Sequence, residues 1–497
     1  MNYNIETGAV ESTISLPVCN RVINCDVSED INLPEGLPDV RRVLALKENI
    51  LSPAKFIGAK SIDVSGAVDY TVIYLAADGN IYSVPLSAEY SLSLPLESSD
   101  VSEGVSVMCA LSPDSSNVRI SSPRRLQLRA GIRASCLCFG RGVLGEDIDG
   151  SCDDAAIQRL EMNGDCAFFD CESSDIVTLN DEYLLSEGDR IIYSDADVFI
   201  NDVRVDGEVV RVSGEAVVRL LLQNGDNINS VIRRLPFDAE TDLDELDIGE
   251  GDLLCRAYGG VNDLEVSVSE GRANIELGIV LEVCMAQNRT VNYTRDIYST
   301  KQTCKAEYKK SALPTVILNK NVNITQSERM SVSEVGFFAG SEVLDVWGRA
   351  YCEEGSLENR RYVLRGKVKY KMLCRSEGEV SVCDCELPFK YEAELGEIDI
   401  SGVCADVKVM NARVRCDGEN LLVESELAIS ASAYGLSEID VLSKAVLGEA
   451  VSQSKNQFVV CFKSNDESSF ELAKKYSVPY DKMSAENQSD SFVIIER

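Results

Sequence analysis

Cysteine is the residue type with the most possible chemical roles in this 497-residue chain, which contains 18 cysteines and no histidine. Thiolates can act as nucleophiles, as metal ligands and as disulfide partners. A Ser-His-Asp or Cys-His catalytic arrangement needs an imidazole, and the sequence offers none. Nothing marks one cysteine as a nucleophile, and the 82 acidic residues single out no carboxylate pair. We therefore predict a protein that is not an enzyme, with no catalytic residues, no metal and no cofactor.

Two Cys-x-Cys pairs stand out, Cys136/Cys138 and Cys383/Cys385. No Cys-x-x-Cys pair is present, which argues against zinc-ribbon and thioredoxin-like sites. On a β-strand, residues i and i+2 share a face, so each pair is predicted to pack as small apolar side chains within a sheet. Disulfide cross-linking after assembly is the alternative interpretation, and metal binding is the least favoured one.

The chain is strongly acidic, with a formal net charge of −34. This charge opposes binding to nucleic acid and to anionic lipid. It favours either simple solubility or a surface that recognises basic patches on a partner. The sequence lacks a signal peptide pattern and any run of about 20 apolar residues, so we expect no membrane insertion and a cytoplasmic protein.

One sequence segment occurs three times along the chain. The repeat indicates which strands and turns position the side chains discussed above. In each copy a Gly precedes an alternating apolar run, a turn cluster follows, and a second run ends at a Pro with an apolar neighbour. The glycines at 66, 214 and 366 are 148 and 152 residues apart, which is a domain length and too long for a solenoid repeat. The turn clusters are Asp78-Gly79-Asn80, Asn224-Gly225-Asp226-Asn227 and Ser376-Glu377-Gly378-Glu379, and the second runs end at Pro85-Leu86, Pro236-Phe237 and Pro388-Phe389.

Three tandem domains follow from this repeat. They are predicted at 15–145, 175–300 and 313–445, with an acidic linker or insertion at 146–174 and a small module at 456–497. Alternating apolar runs dominate, so the fold class is mainly β, with antiparallel β-sandwich or barrel-like domains. Short helices are predicted at Val40–Leu46 and Asp154–Met162. The repeated Gly is expected to mark a bulge or a close backbone approach.

The C-terminal module has a different pattern. A strand at Phe458–Phe462 precedes a helix at Ser468–Tyr476, for which Ser468 or Asp466 is the expected N-cap. A second helix at Tyr480–Asn487 and a strand at Phe492–Ile495 complete a β-α-α-β unit.

The repeat, with its Val/Leu-x-Gly, its hairpin and its Pro-hydrophobe ending, resembles the SPOCS domain of sporulation proteins from clostridia and related Firmicutes. The opening LPEGLPDVRRVLALKENI is similar to the start of such a repeat. The tail resembles a LysM module in its aromatic-Val-Val strand, in Leu472–Val478 and in Asn487. Asp466-Glu467-Ser468 replaces the usual Gly-Asp-Thr of LysM modules, which favours protein docking over glycan binding.

The combination of SPOCS repeats with a LysM module resembles coat-morphogenesis proteins. The resemblance implies a non-enzymatic scaffold or adaptor in the mother-cell cytoplasm, at the forespore surface, that engages a spore coat morphogenetic ATPase. Self-association through the repeats is a further expectation. The alternative function is a protein that binds peptidoglycan or cortex glycan.

A docking surface on the tail is predicted from residue types, because interface cores favour aromatic anchors beside charges. Phe470 and Tyr480 are the predicted anchors, with Lys474 and Lys475 at the rim. Tyr476 is expected to fill the core of the module instead. Both lysines are expected to be solvated.

Overall fold

The computed structural model describes most of the chain. The described residues are 12–96, 103–145, 147–149, 156–173, 176–207, 209–242, 252–333, 335–337, 341–352, 356–358, 361–394, 399–417, 419–451, 458–462, 468–483 and 492–496. Strands account for nearly all of them, so the prediction of a mainly β, antiparallel fold is confirmed. No helix among them is long and apolar enough to cross a membrane.

The first repeat and the segment after it form strands β1 to β9. These are β1 Ser12–Asn32, β2 Val40–Ile50, β3 Ala54–Ile57, β4 Ser61–Ala76, β5 Ile81–Pro95, β6 Glu103–Ser122, β7 Arg125–Leu144, β8 Asp147–Asp149 and β9 Ile157–Ser173. The second repeat forms β10 Val177–Leu184, β11 Arg190–Asp206, β12 Val209–Asn224, β13 Asn227–Asp242, β14 Leu253–Ser269 and β15 Arg272–Ser299.

The third repeat and the tail contain the remaining elements. The strands are β16 Gln302–Ser331, β17 Glu342–Cys352, β18 Ser356–Glu358, β19 Arg361–Ser376, β20 Glu379–Glu394, β21 Ile400–Asp417, β22 Asn420–Ala450, β23 Phe458–Phe462 and β24 Phe492–Glu496. Helix α1, Ser469–Tyr476, and a 3₁₀ helix, Tyr480–Met483, lie between the last two strands.

Each repeat contributes two antiparallel sheets. In the first repeat they are β2-β4-β3 with β5 on β4, and β1-β7-β6. The second repeat has β11-β12-β13 and β10-β15-β14 with β9 on β15, and the third has β17-β19-β18 with β20 on β19 and β16-β22-β21. The short β8 adds to β22 in parallel, and β23 pairs with β24 in a sheet of its own.

Three apolar clusters form the main cores, and each lies between the two sheets of one repeat. Alternation along the strands explains this, because every second residue is buried in β5 from Ala88 onward and in β20 from Cys383 onward. Both Cys-x-Cys pairs are buried in these cores, on β7 and β20, so their predicted packing as apolar side chains is confirmed.

Two smaller clusters join the repeats to one another. One contains Phe139, Phe169 and Tyr434. The Phe169 ring stacks on Phe139 with centres 4.0 Å apart, and the Tyr434 ring meets Phe139 edge to face at 5.0 Å. The other gathers side chains from β2, β11 and β17, among them Tyr193 and Trp347. The repeats therefore contact one another through buried apolar surface as well as through charge.

The repeated Gly lies where an aromatic ring of the neighbouring strand crosses the backbone. Gly214 is opposite Phe237, and Gly366 is opposite Phe389. A Cβ added at Gly214 would lie 2.3 Å from the Phe199 carbonyl oxygen and 2.5 Å from the Phe237 ring. The close-approach interpretation is therefore confirmed. The pairing of β12 with β13 has no bulge at Gly214, whereas its pairing with β11 shifts beside Gly214, between Ile200 and Asp202.

The three predicted hairpin turns are confirmed between β4 and β5, β12 and β13, and β19 and β20. Gly79, Gly225 and Gly378 adopt positive φ there, at 88°, 57° and 81°. Such angles are readily available to Gly, which explains the recurring turn composition.

The helix predicted at Val40–Leu46 is wrong, because this segment is the first part of β2. The register of β2 against β4 shifts between Val40 and Arg42 and again between Val43 and Ala45. Each bulge adds a residue, so the apolar residues lose their spacing of two and imitate a helical spacing. The helix-like spacing of the apolar residues is therefore a consequence of the two bulges in a strand.

The helix predicted at Asp154–Met162 is also wrong for its described part. From Ile157 onward the chain is β9, which pairs with the second half of β15 from Ser299 back to Glu282. Pairing with a distant strand overrides the local preference for helix. The segment 146–174, interpreted as a linker or insertion, thus contributes β8 and β9 to two sheets.

The tail contains one α-helix, not two, within the described residues. Ser468 caps α1 in a capping box with Glu471, as one of the two predicted caps. The second helical element is only the 3₁₀ helix Tyr480–Met483. Asp466, Glu467 and Asn487 lie outside the described residues.

Candidate functional site

A cavity of about 680 Å³ lies where the three repeats meet. Strands β2 and β6 line it from the first repeat, β11 and β14 from the second, and β17, β19, β20 and β21 from the third. Binding sites for small molecules commonly have volumes of roughly 300–1,000 Å³. The cavity therefore has the size of a ligand site, and sequence analysis missed it.

Three side chains at corresponding positions of the repeats converge beside this cavity: Lys47, Asp195 and Trp347. Their cross-strand partners Thr71, Arg219 and Lys371 each lie five residues after the repeated Gly. The Lys47 Nζ atom is 3.6 Å from a carboxylate oxygen of Asp195 and 4.2 Å from the centre of the Trp347 ring. Equivalent positions of the three repeats thus bring a cation, an anion and an aromatic ring together at one place.

A β-bulge precedes this point in every repeat. The register shifts between Val43 and Ala45 in β2, between Ile191 and Tyr193 in β11, and between Val343 and Asp345 in β17. A bulge twists its strand and re-aims the side chains that follow. The three bulges explain how strands whose other side chains pack in the apolar cores can direct Lys47, Asp195 and Trp347 toward one another.

The cavity is lined by buried charged groups. Burial lowers the pKa of Lys47 to about 7. Burial also raises the pKa of Asp406, whose side chain is buried beside the cavity. Glu48, whose side chain is 1% exposed, forms an ion pair with Arg349 at 2.5 Å and so joins β2 to β17.

Hydrogen-bonding groups at the cavity are only partly satisfied. The indole Nε1 of Trp347 is buried and has no hydrogen-bond partner among the described residues. Lys408 donates to the Gly259 carbonyl at 2.7 Å, and its ammonium lies 4.5 Å from the centre of the Tyr258 ring. Buried polar atoms without partners are costly, so the cavity suits water or a polar ligand better than an apolar one.

Two of the four predicted docking residues of the tail, Phe470 and Lys474, contact the second repeat. Phe470 is buried, with its ring centre 5.2 Å from that of Tyr298 on β15, so the expectation of an exposed anchor is wrong for this residue. Lys474 donates to both carboxylate oxygens of Asp296 at 2.7 and 2.8 Å, so it is not simply solvated. Both side chains attach α1 to the second repeat.

The other two predicted residues remain at the surface. Tyr480 is 42% exposed, and its backbone N–H donates to the side chain of Gln158 on β9 at 2.9 Å. Lys475 is exposed, with its ammonium 5.9 Å from the centre of the Tyr476 ring. Tyr476 is partly buried against the apolar cluster of the tail, in line with its predicted core role. Periodicity alone could not reveal that β15 covers Phe470.

Among the described residues, Cys171, Glu282 and Cys284 form a group that could hold a metal ion, since one ligand atom of each lies within 4.8 Å of the others. Lys55 already forms an ion pair with Glu282, which competes with a cation for that carboxylate. Burial raises the pKa of other thiols, such as Cys385 to about 11, and a protonated thiol is a weak nucleophile. The chemistry that this arrangement favours is binding.

The fold and the cavity define a mainly β protein with a charged interior site between three repeats. No protein family model, no curated protein and no solved structure matches the chain.

Proposed function

We propose that the protein is a non-enzymatic scaffold or adaptor of spore coat assembly, located in the mother-cell cytoplasm at the forespore surface. In this proposal the repeats are three tandem SPOCS-like domains, and the tail is a LysM-like module that binds a coat morphogenetic ATPase. The support is the resemblance of the repeat and the tail, together with an acidic surface that disfavours nucleic acid.

The observation that carries the proposal is the attachment of α1 to β15. Phe470 packs on Tyr298, the hydroxyl of Tyr298 donates to the Val478 carbonyl at 2.7 Å, and Lys474 binds Asp296. This attachment leaves Tyr480 and Lys475 outward on a fixed support. A preorganised surface loses little conformational freedom when it binds, as an adaptor requires.

The test is the affinity of the purified full-length chain for the purified coat ATPase. Tyr480→Ala and Lys475→Glu are each expected to weaken binding about tenfold, because exposed aromatic and charged anchors carry interface energy. Lys367→Glu is the matched control, since Lys367 is an exposed lysine on β19 in the third repeat. We expect the control to bind like the parent chain.

If the parent chain and both tail variants bind the coat ATPase with equal affinity, the docking surface lies on the repeats and not on the tail. Absence of binding by the parent, combined with sedimentation of the chain on insoluble peptidoglycan, would favour the glycan-binding alternative. In cells, the proposal expects expression during sporulation and a shell around the forespore. A constant level in vegetative cells would contradict it.

A further inference from the structure

Two cysteines on adjacent strands face each other near the junction of the first and second repeats. Cys171 on β9 is directly opposite Cys284 on β15 in the antiparallel register. Their sulfur atoms are 2.9 Å apart. Directly opposed residues of an antiparallel pair have Cα atoms about 4.5–5.5 Å apart, which is within the range that a disulfide can bridge.

This pair is more accessible than two opposed pairs in the first repeat. Cys109 faces Cys136, with sulfur atoms 3.1 Å apart, and Cys19 faces Cys138, but all four residues are buried in a core. Cys171 is only partly buried, whereas Cys284 is 2% exposed. A reagent in solution therefore reaches Cys171 first, and Cys284 lies behind it.

The neighbouring charges favour sulfur chemistry over metal binding. Lys55 of β3 pairs with Glu282 and donates to the Val107 carbonyl at 2.9 Å. The Glu282 carboxylate is thus neutralised by an ammonium group and is a poor third ligand for a cation.

We propose that Cys171 and Cys284 form an intramolecular disulfide by exchange with a small organic disulfide. The Cys171 thiol loses its proton and attacks one sulfur of the reagent, which forms a mixed disulfide and releases one reagent thiol. The Cys284 thiolate then attacks the Cys171 sulfur, and the bond to the reagent breaks to release the second thiol. The two protein thiols lose two electrons and two protons, and the reagent gains them.

The disulfide joins β9 to β15 covalently. The cysteines are 113 residues apart in the chain, so the bond closes a long loop, and long loops gain most from cross-linking. Beyond this bond, β9 and β15 run on together to Ile157 and Ser299, near the contacts that hold the tail. Oxidation therefore locks the pair of strands on which the C-terminal module is seated.

The experiment treats the reduced full-length chain with excess oxidised glutathione under native conditions. Free thiols are then blocked with N-ethylmaleimide, and peptides are identified by mass spectrometry. We expect a linked peptide that contains Cys171 and Cys284, a loss of two hydrogens in the intact mass, and a higher melting temperature. Cys171→Ser and Cys284→Ser should each lose all three changes.

Cys166→Ser is the matched control, because Cys166 is a buried cysteine of β9 whose opposed residue on β15 is Arg289. It should keep the linked peptide. The parent chain needs no substitution for the central observation, so poor folding of a variant cannot obscure it. Two results would overturn the proposal: no Cys171–Cys284 peptide from the native chain, or the same yield of this peptide from the urea-unfolded chain.

Discussion

At the scale of single residues, the ionisation of Lys47 depends on pH near neutrality. Its ammonium is enclosed by Asp195, the Trp347 ring and the Tyr193 ring, and burial lowers its pKa from 10.5 to about 7. Arg219 and Arg349 oppose its charge, whereas Asp195 and Asp345 favour it. The cavity thus contains a lysine that changes its charge near neutral pH.

This lowered pKa predicts a pH dependence of stability with a definite sign. Between pH 7 and 10.5 the unfolded chain holds the Lys47 proton more tightly than the folded chain does. The contribution of Lys47 to the free energy of unfolding should therefore rise with pH across this window, by at most about 1.4 kcal/mol per pH unit. Below pH 7 both states are protonated, and the contribution stays constant.

The measurement compares the parent chain with Lys47→Met by urea unfolding from pH 6 to pH 10. The difference in stability between the two chains should increase with pH in favour of the parent. Taking a difference removes the titration of the many tyrosines and cysteines that both chains share. Lys367→Met is the control, and a pH-independent difference for Lys47→Met would refute the prediction.

At the scale of elements, each repeat is built around a hairpin in which an aromatic ring covers a Gly. The ring and the Gly are opposed in register, as Phe237 and Gly214 are, and in the second and third repeats a backbone carbonyl lies on the other side of the Gly. This arrangement leaves no room for a side chain. The hairpin strands can approach only because the sequence has Gly there.

Gly214→Ala is therefore expected to destabilise the second repeat by about 1–3 kcal/mol, the usual cost of overpacking a core. The added Cβ would meet the fixed Phe199 carbonyl at 2.3 Å, so a rotamer change of Phe237 cannot relieve the clash. Gly36→Ala is the matched control, because a Cβ there meets nothing within 4 Å. Thermal unfolding followed by calorimetry should show a lower midpoint for the first variant alone.

At the scale of the whole molecule, charged contacts between repeats complement the apolar clusters. The ion pair of Glu48 with Arg349 joins the first repeat to the third, and Lys47 with Asp195 joins the first to the second. These residues lie around one cavity, so the three repeats share a single buried charged region. Their unfolding should be coupled through it.

Arg349→Met is expected to weaken this coupling, because it leaves the buried Glu48 carboxylate without its counter-charge. Breaking a buried pair in this way typically costs about 3–5 kcal/mol. Calorimetry should show a lower midpoint and a broadened or divided transition. The double variant Glu48→Met with Arg349→Met should recover most of the loss, whereas Arg361→Met, at an exposed pair, should change little.

The tail shows where local pattern is insufficient. Helical spacing correctly indicated α1, and Ser468 is one of its two expected caps. Phe470 and Lys474 nevertheless contact Tyr298 and Asp296. Spacing tells which side chains share a face of a helix. It cannot tell which distant strand covers that face.

The sequence by itself determined the three-fold repeat, the mainly β class, the turn glycines and the buried Cys-x-Cys pairs. These follow from side-chain size, backbone freedom and alternation along a strand, which are local properties. Only the tertiary structure decided the helix-like segment of β2, the role of β9, the covering of Phe470 and the convergence of Lys47, Asp195 and Trp347. Bulge positions and contacts between residues far apart in the chain decide these features, and a single sequence shows no local trace of either.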